Sequence, residues 1–136
     1  MGSSAADPTK PTTTVRRAPE RDTEEEWLRL RGRLQDTRRR RQEVLVREAR
    51  LRAERIARTL KSKYGAEKVF LYGSLAWGGF REDSDIDLLV CGYQGSYWDI
   101  LVEVERLASP FQVSLVGLED ASPSLRAEVF ARGVPL

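Results

Sequence analysis

The chain contains no histidine and a single cysteine, Cys91. Without histidine there is no imidazole base, no Ser-His-Asp triad and no zinc site of the usual histidine type. A lone cysteine excludes an intrachain disulfide and any thiolate cluster. No apolar run approaches the length of a membrane span, and the N-terminus lacks the basic-then-apolar plan of a secretory signal. A soluble, cytoplasmic protein is expected. Acid-base or metal chemistry must therefore come from carboxylates, hydroxyls and backbone groups.

Charge is abundant but unevenly spread. The 136 residues carry 23 Lys and Arg against 21 Asp and Glu, a formal net of +2. Residues 21–63 hold 15 basic and 8 acidic side chains, whereas residues 64–136 hold 5 and 11. A basic front and an acidic back mark an arm that meets a partner.

Residues 1–22 place Pro8, Pro11 and Pro19 among threonines, with Val15 the only large aliphatic residue. Such a segment buries too little to offset its ordering entropy and is expected to be disordered. Thr23 and Glu26 fit a capping box, predicting a long helix over 23–63. Trp27, Leu30 and Leu34 form a first apolar stripe. Leu45, Ala49, Ala53, Ile56 and Leu60 form a cleaner second one on a single helix face. The tetra-arginine 38–41 lies between them. The expectation is that the second half packs on a globular domain, residues 64–136, while the first half projects. Gly65 is the expected helix stop.

From residue 64 the pattern alternates. KVFLY (68–72) reads as a strand, IDLLVC (86–91) as a buried strand and YWDILVEVERLA (97–108) as an amphipathic helix. FQVSLVG (111–117) reads as a further strand, and SPSLRAEVFAR (122–132) as a helix capped by Ser122 with Pro123 in its first turn. Strands alternating with helices imply an α/β (α+β) fold, a small mixed sheet of three or more strands flanked by helices.

The chemistry concentrates in GSLAWGGFREDSDID (73–87). Asp85 and Asp87 flank Ile86 at a strand start, so both carboxylates point the same way while Ile86 faces the core. Two like charges held together become favourable with a cation between them, and hard oxygen ligands of this kind suit Mg²⁺. Gly73 follows a strand, and Ser74 opens a short helix or turn through Leu75, Ala76 and Trp77 to Gly78. Backbone N–H groups at such a turn cradle phosphate. The Gly-Lys-Ser/Thr ending of a Walker A loop is missing. A Gly-Ser pair or an Asp-x-Asp alone is weak; both in order, each at a strand end, point to a metal-bound triphosphate.

Gly73-Ser74, ten residues and then Asp85-x-Asp87 resemble the polymerase-beta-type nucleotidyltransferase superfamily, specifically its minimal nucleotidyltransferase branch. "VFLYGSLAWGG", "DSDIDLLV" and the ending "LRAEVFARGVPL" fit as well, so the resemblance covers about residues 45–136. It implies a polymerase-beta-like fold and transfer of a nucleoside monophosphate, most often from ATP, to a hydroxyl with release of pyrophosphate. Gly73 and Ser74 would hold phosphates, and Asp85 and Asp87 would be the catalytic Mg²⁺ ligands. Minimal members are similar to antitoxin partners of HEPN-domain toxin ribonucleases, some of which adenylylate the toxin. The family usually takes a third carboxylate from the next strand, in a pattern like Val-Asp-Leu-Val. Here that strand reads Val113-Ser114-Leu115-Val116. Glu119 and Asp120 come just after it as candidates to reach back. Ser114 opens a second reading, a catalytically weakened nucleotide-binding and partner-binding module.

Other features carry two readings each. The 12 arginines from Arg29 to Arg58 are either a solvated face or a contact for nucleic acid or an acidic partner. Few interleaved aromatics count against stacking on single strands. Trp27, Leu30 and Leu34 suggest helix association, self-association through residues 24–45 included. Trp77, Tyr97 and Trp98 line a nucleotide pocket or, more commonly for such residues, pack in the core. Cys91 is expected to pack at the end of its strand.

Overall fold

The computed structural model describes residues 20–136, with side chains from residue 23 onward. Most of the expected N-terminal tail thus lies outside the described residues. Helix α1 runs Glu20–Tyr64, so Thr23 lies within it rather than at its cap, which corrects the expected start. Nothing in the sequence after Pro19 breaks a helix, and the acidic residues from Glu20 onward favour a helix N-terminus. Gly65 ends the helix as expected. Its φ of 69° is left-handed, as at a glycine-terminated helix, and the N–H of Ala66 closes back on Leu60 O at 3.0 Å.

The described residues divide after Arg40 into two compact units, the second being residues 41–136. In the first, Trp27, Leu28, Leu30 and Leu34 are all exposed.

The second unit is built on a four-stranded sheet. Its strands are β1 (Lys68–Tyr72), β2 (Asp85–Cys91), β3 (Gln112–Gly117) and β4 (Val134–Pro135), in the order β3-β2-β1-β4. β1 is antiparallel to β2 and β4, and β2 is parallel to β3. The parallel pair needs a crossover, supplied by helix α3 (Tyr97–Ala108). A four-residue helix α2 (Ser74–Trp77) comes after β1, and α4 (Pro123–Arg132) precedes β4. Ser122 caps α4, its Oγ accepting from Leu125 N at 3.2 Å, with Pro123 in the first turn. By sequence β4 is only a tail; two residues carry no periodicity, and their strand character comes from pairing with Phe70 and Leu71.

Alternation sorts each strand between two layers. Val69, Leu71, Ile86, Leu88, Val90 and Leu115 join one core with the α1 stripe and with Ile100, Val104 and Ala108 of α3. Ala49, Ala53, Ile56 and Leu60 are fully buried there, as the second stripe predicts. The opposite face carries Leu89 and Cys91 with Phe70, Tyr72 and Val116, covered by Val129 of α4. Cys91 packs in this layer. On this second face α4 leaves the aspartate end of the sheet less covered, and Asp85 is exposed.

Candidate nucleotide-binding site

Strand register brings the site together. Asp87 pairs with Tyr72 on one side and with Ser114 on the other. Asp85 pairs with Gln112 one step further along. Paired residues share a sheet face, so Tyr72, Asp87 and Ser114 form a row across three strands with Asp85 beside it. Ile86 between the aspartates is fully buried on the other face, as the alternation requires.

Gly73 joins this row from the side. Its φ is 73°, a conformation open to glycine and strained for other residues. A Cβ added there would overlap Asp87 Oδ2 and lie 3.1 Å from its Cγ. Backbone and carboxylate therefore touch because residue 73 has no side chain. The next residues form α2, which has no side-chain cap; the first amides of such a turn have no partner within it. Trp77 N–H closes on Gly73 O at 2.9 Å and Gly78 N–H on Ser74 O at 2.8 Å.

The ten residues between Ser74 and Asp85 have a physical account. After α2, Gly78 and Gly79 both take positive φ in open space, so conformation alone demands glycine there. Phe80 then turns inward, 1% exposed, with its ring 5.9 Å from that of Phe111. Gln42 Nε2 donates to Phe80 O. Arg81 N–H donates to Ser84 Oγ at 2.9 Å, and Ser84 N–H to Arg81 O at 3.0 Å. That tight turn delivers the chain into β2 with Asp85 and Asp87 facing the glycine-serine turn.

Electrostatics single out Asp87. Burial first, and then the neighbouring charge of Asp85, push its carboxyl from 3.8 up to about 6. The ion pairs of the described residues, Lys63–Glu103 and Arg106–Glu103, leave both aspartates without a cationic partner. Burial, then the charge of Asp87, also raise the Tyr72 hydroxyl, and a hydrogen bond with Ser114 opposes this. Two aligned carboxylates, one partly desolvated and neither neutralised, fit a hard divalent cation with oxygen ligands.

No third carboxylate joins them. Among the described residues there is no group of three or more acidic, Cys or His side chains able to hold a metal. Ser114 stands beside Asp87 on the neighbouring strand. Glu119 and Asp120 do not reach back. They come after Gly117, which pairs with Val90 at the far end of β2, and their charges act on Tyr93 there.

The three aromatics separate. Trp77 ties α2 to the end of α4: its Nε1–H donates to Arg132 O at 2.9 Å, and the Arg132 guanidinium lies 4.3 Å from its ring. Tyr97 packs on the α1/α3 core layer, its hydroxyl donating to Leu115 O at 2.7 Å. Trp98 is exposed on α3, the helix on the sheet face opposite to the aspartates. Sequence reasoning missed Tyr72. Its only signal was its place immediately before Gly73, and the pairing with Asp87 is a matter of register.

A mixed sheet with a glycine-serine turn after its first strand, facing an Asp-x-Asp on the second, defines the nucleotidyltransferase fold of the polymerase beta type. Residues 54–136 match the family model described as polymerase beta, nucleotidyltransferase, and the chain belongs to that family. A solved structure described as a candidate minimal nucleotidyltransferase is 33% identical, with a TM-score of 0.56, covering 67% of this chain and 95% of that one. A toxin–antitoxin solved with AMP-PNP is 25% identical, with a TM-score of 0.49, covering 62% of this chain and 68% of that one. The MntA-HepT toxin–antitoxin is 23% identical, with a TM-score of 0.47 and coverages of 63% and 69%. No curated protein matches the chain. No described helix is long and apolar enough to cross a membrane.

Proposed function

We propose that the chain is a Mg²⁺-dependent nucleotidyltransferase that moves AMP from ATP to a hydroxyl on a protein or other macromolecule. The observation that supports this reading is the contact of Gly73 with the Asp87 carboxylate, which sets the glycine-serine turn against the Asp85-Asp87 pair. Gly73 and Ser74 would hold the triphosphate, and Asp85 and Asp87 would hold the metal. When bound, the metal neutralises triphosphate charge and polarises the reacting phosphorus. The acceptor oxygen forms a bond to the α-phosphorus, the bond from that phosphorus to the bridging oxygen breaks, and pyrophosphate leaves with the electron pair. The acceptor proton passes to solvent, since no third carboxylate adjoins the pair to take it.

The second unit holds little beyond its core and this site, which supports an acceptor carried by another protein. By the family resemblance, that partner is a HEPN-type toxin and this chain its antitoxin. Nucleic acid is the less favoured partner.

Ser114 supports a second reading, a nucleotide-binding and partner-binding module with weakened turnover. One experiment separates them: incubation with labelled ATP, Mg²⁺ and a HEPN-domain protein. Covalent label that disappears in Asp85→Ala and Asp87→Ala supports the transferase. Tight ATP binding without label supports the module. Absence of any Mg²⁺-ATP binding sinks both.

A further inference from the structure

We infer that residues 23–41 form an antiparallel, self-complementary helix pair with the same segment of a second copy of this chain. Trp27, Leu30 and Leu34 are 59%, 45% and 48% exposed. Residues 27, 30, 34 and 37 have the 3-4-3 spacing of a two-helix seam and are symmetric about residue 32. Laying a second copy antiparallel about that point sets Leu30 against Leu34 and Trp27 against Thr37, twice over. Thr37 suits a seam position, because its Oγ1 already donates to Arg33 O at 2.9 Å and leaves its methyl group for the partner.

Charge selects both the occupant and the direction. Glu24, Glu25 and Glu26 lie as far before residue 32 as Arg40, Arg39 and Arg38 lie after it. The antiparallel register sets side e against side e and side g against side g, so it brings Glu24 towards Arg38 and Glu26 towards Arg40 at both ends of a seam about 24 Å long, while Glu25 and Arg39 lie on the outer face. A parallel pair would instead set Arg38–Arg41 against themselves and the three glutamates against themselves, a like-charge arrangement that specifies against that orientation. A surface whose two halves complement each other through a two-fold axis is the requirement for an isologous dimer. The inference is independent of nucleotidyl transfer.

The test is sedimentation equilibrium of the full chain over a concentration series. Three apolar side chains per copy make a small seam, so half-association is expected on the order of 100 µM, weakening as salt rises. The set Glu24→Arg, Glu25→Arg, Glu26→Arg should be monomeric, and so should the set Arg38→Glu, Arg39→Glu, Arg40→Glu. The chain carrying both sets should dimerise again; a parallel pair, in which each set meets only its own copy, predicts no such loss and rescue. An equimolar mixture of the two single-set variants should form a mixed dimer, so folding of each is checked by its ability to pair. The inference is overturned by a wild-type chain monomeric up to about 1 mM, which would mean the stripe serves a different occupant. Single-set variants that dimerise like wild type overturn it, and so does joint failure of the doubly exchanged chain and the mixture.

Discussion

At Gly73 two requirements meet, a positive φ and an absent side chain, since any Cβ would displace the Asp87 carboxylate. Gly73→Ala should therefore cost about 1–2 kcal/mol from the backbone alone. It should also abolish Mg²⁺-ATP binding, read by titration calorimetry beside a melting curve. Asp87 offers a pH test. Its folded value of about 6 stands above the ordinary 3.8, so the protonated form is the one folding favours. Metal-free stability should fall as pH rises from about 4 through 6, and Asp87→Asn should flatten that slope. Added Mg²⁺ should raise the melting temperature above pH 6 and lose its effect towards pH 4, where protons compete. A third test lies at Ser114, beside Asp87 in the parallel register. Ser114→Asp should lower metal-free stability through like-charge repulsion, tighten Mg²⁺ binding and raise any nucleotidyl transfer. Equal Mg²⁺ affinity in wild type and Ser114→Asp would show that residue 114 does not face the metal. Asp85 and Asp87 were legible as a pair because strand alternation is local. Tyr72 was not, because its place beside Asp87 depends on how β1 and β2 slide past each other.

Among the elements, the loop from Gly78 to Ser84 decides whether the two halves of the site face one another. Phe80 is its anchor, nearly fully buried against Phe111. Phe80→Ala should cost about 3–5 kcal/mol, measured by denaturant unfolding, and should weaken nucleotide binding although Phe80 belongs to the α1/α3 core layer. A variant that loses stability yet binds ATP as before would show that the loop's register survives without the ring. Helices α3 and α4 and strands β1 to β3 were readable from periodicity within a residue or so at each end. The start of α1 was misplaced, since a good capping box at Thr23 does not stop a helix that can begin sooner. β4 escaped because two residues become a strand only when β1 offers an open edge.

For the whole molecule, the second compact unit, Arg41–Leu136, contains both core layers and every site residue. A chain of residues 41–136 should unfold cooperatively and bind Mg²⁺-ATP as the full chain does, checked by circular dichroism melts and titration calorimetry. If that piece is unfolded, the first unit contributes to the core after all. The amino-acid sequence by itself determined the features set by local spacing: the helices, three strands, the basic front and the residue types of the candidate site. Only the tertiary structure decided which of these meet. It set Gly73 against Asp87, placed Ser114 rather than Glu119 or Asp120 beside the aspartates, and drew Tyr72 into their row. Those choices depend on strand register and on the crossover through α3, interactions between residues distant in the chain, which local periodicity does not encode.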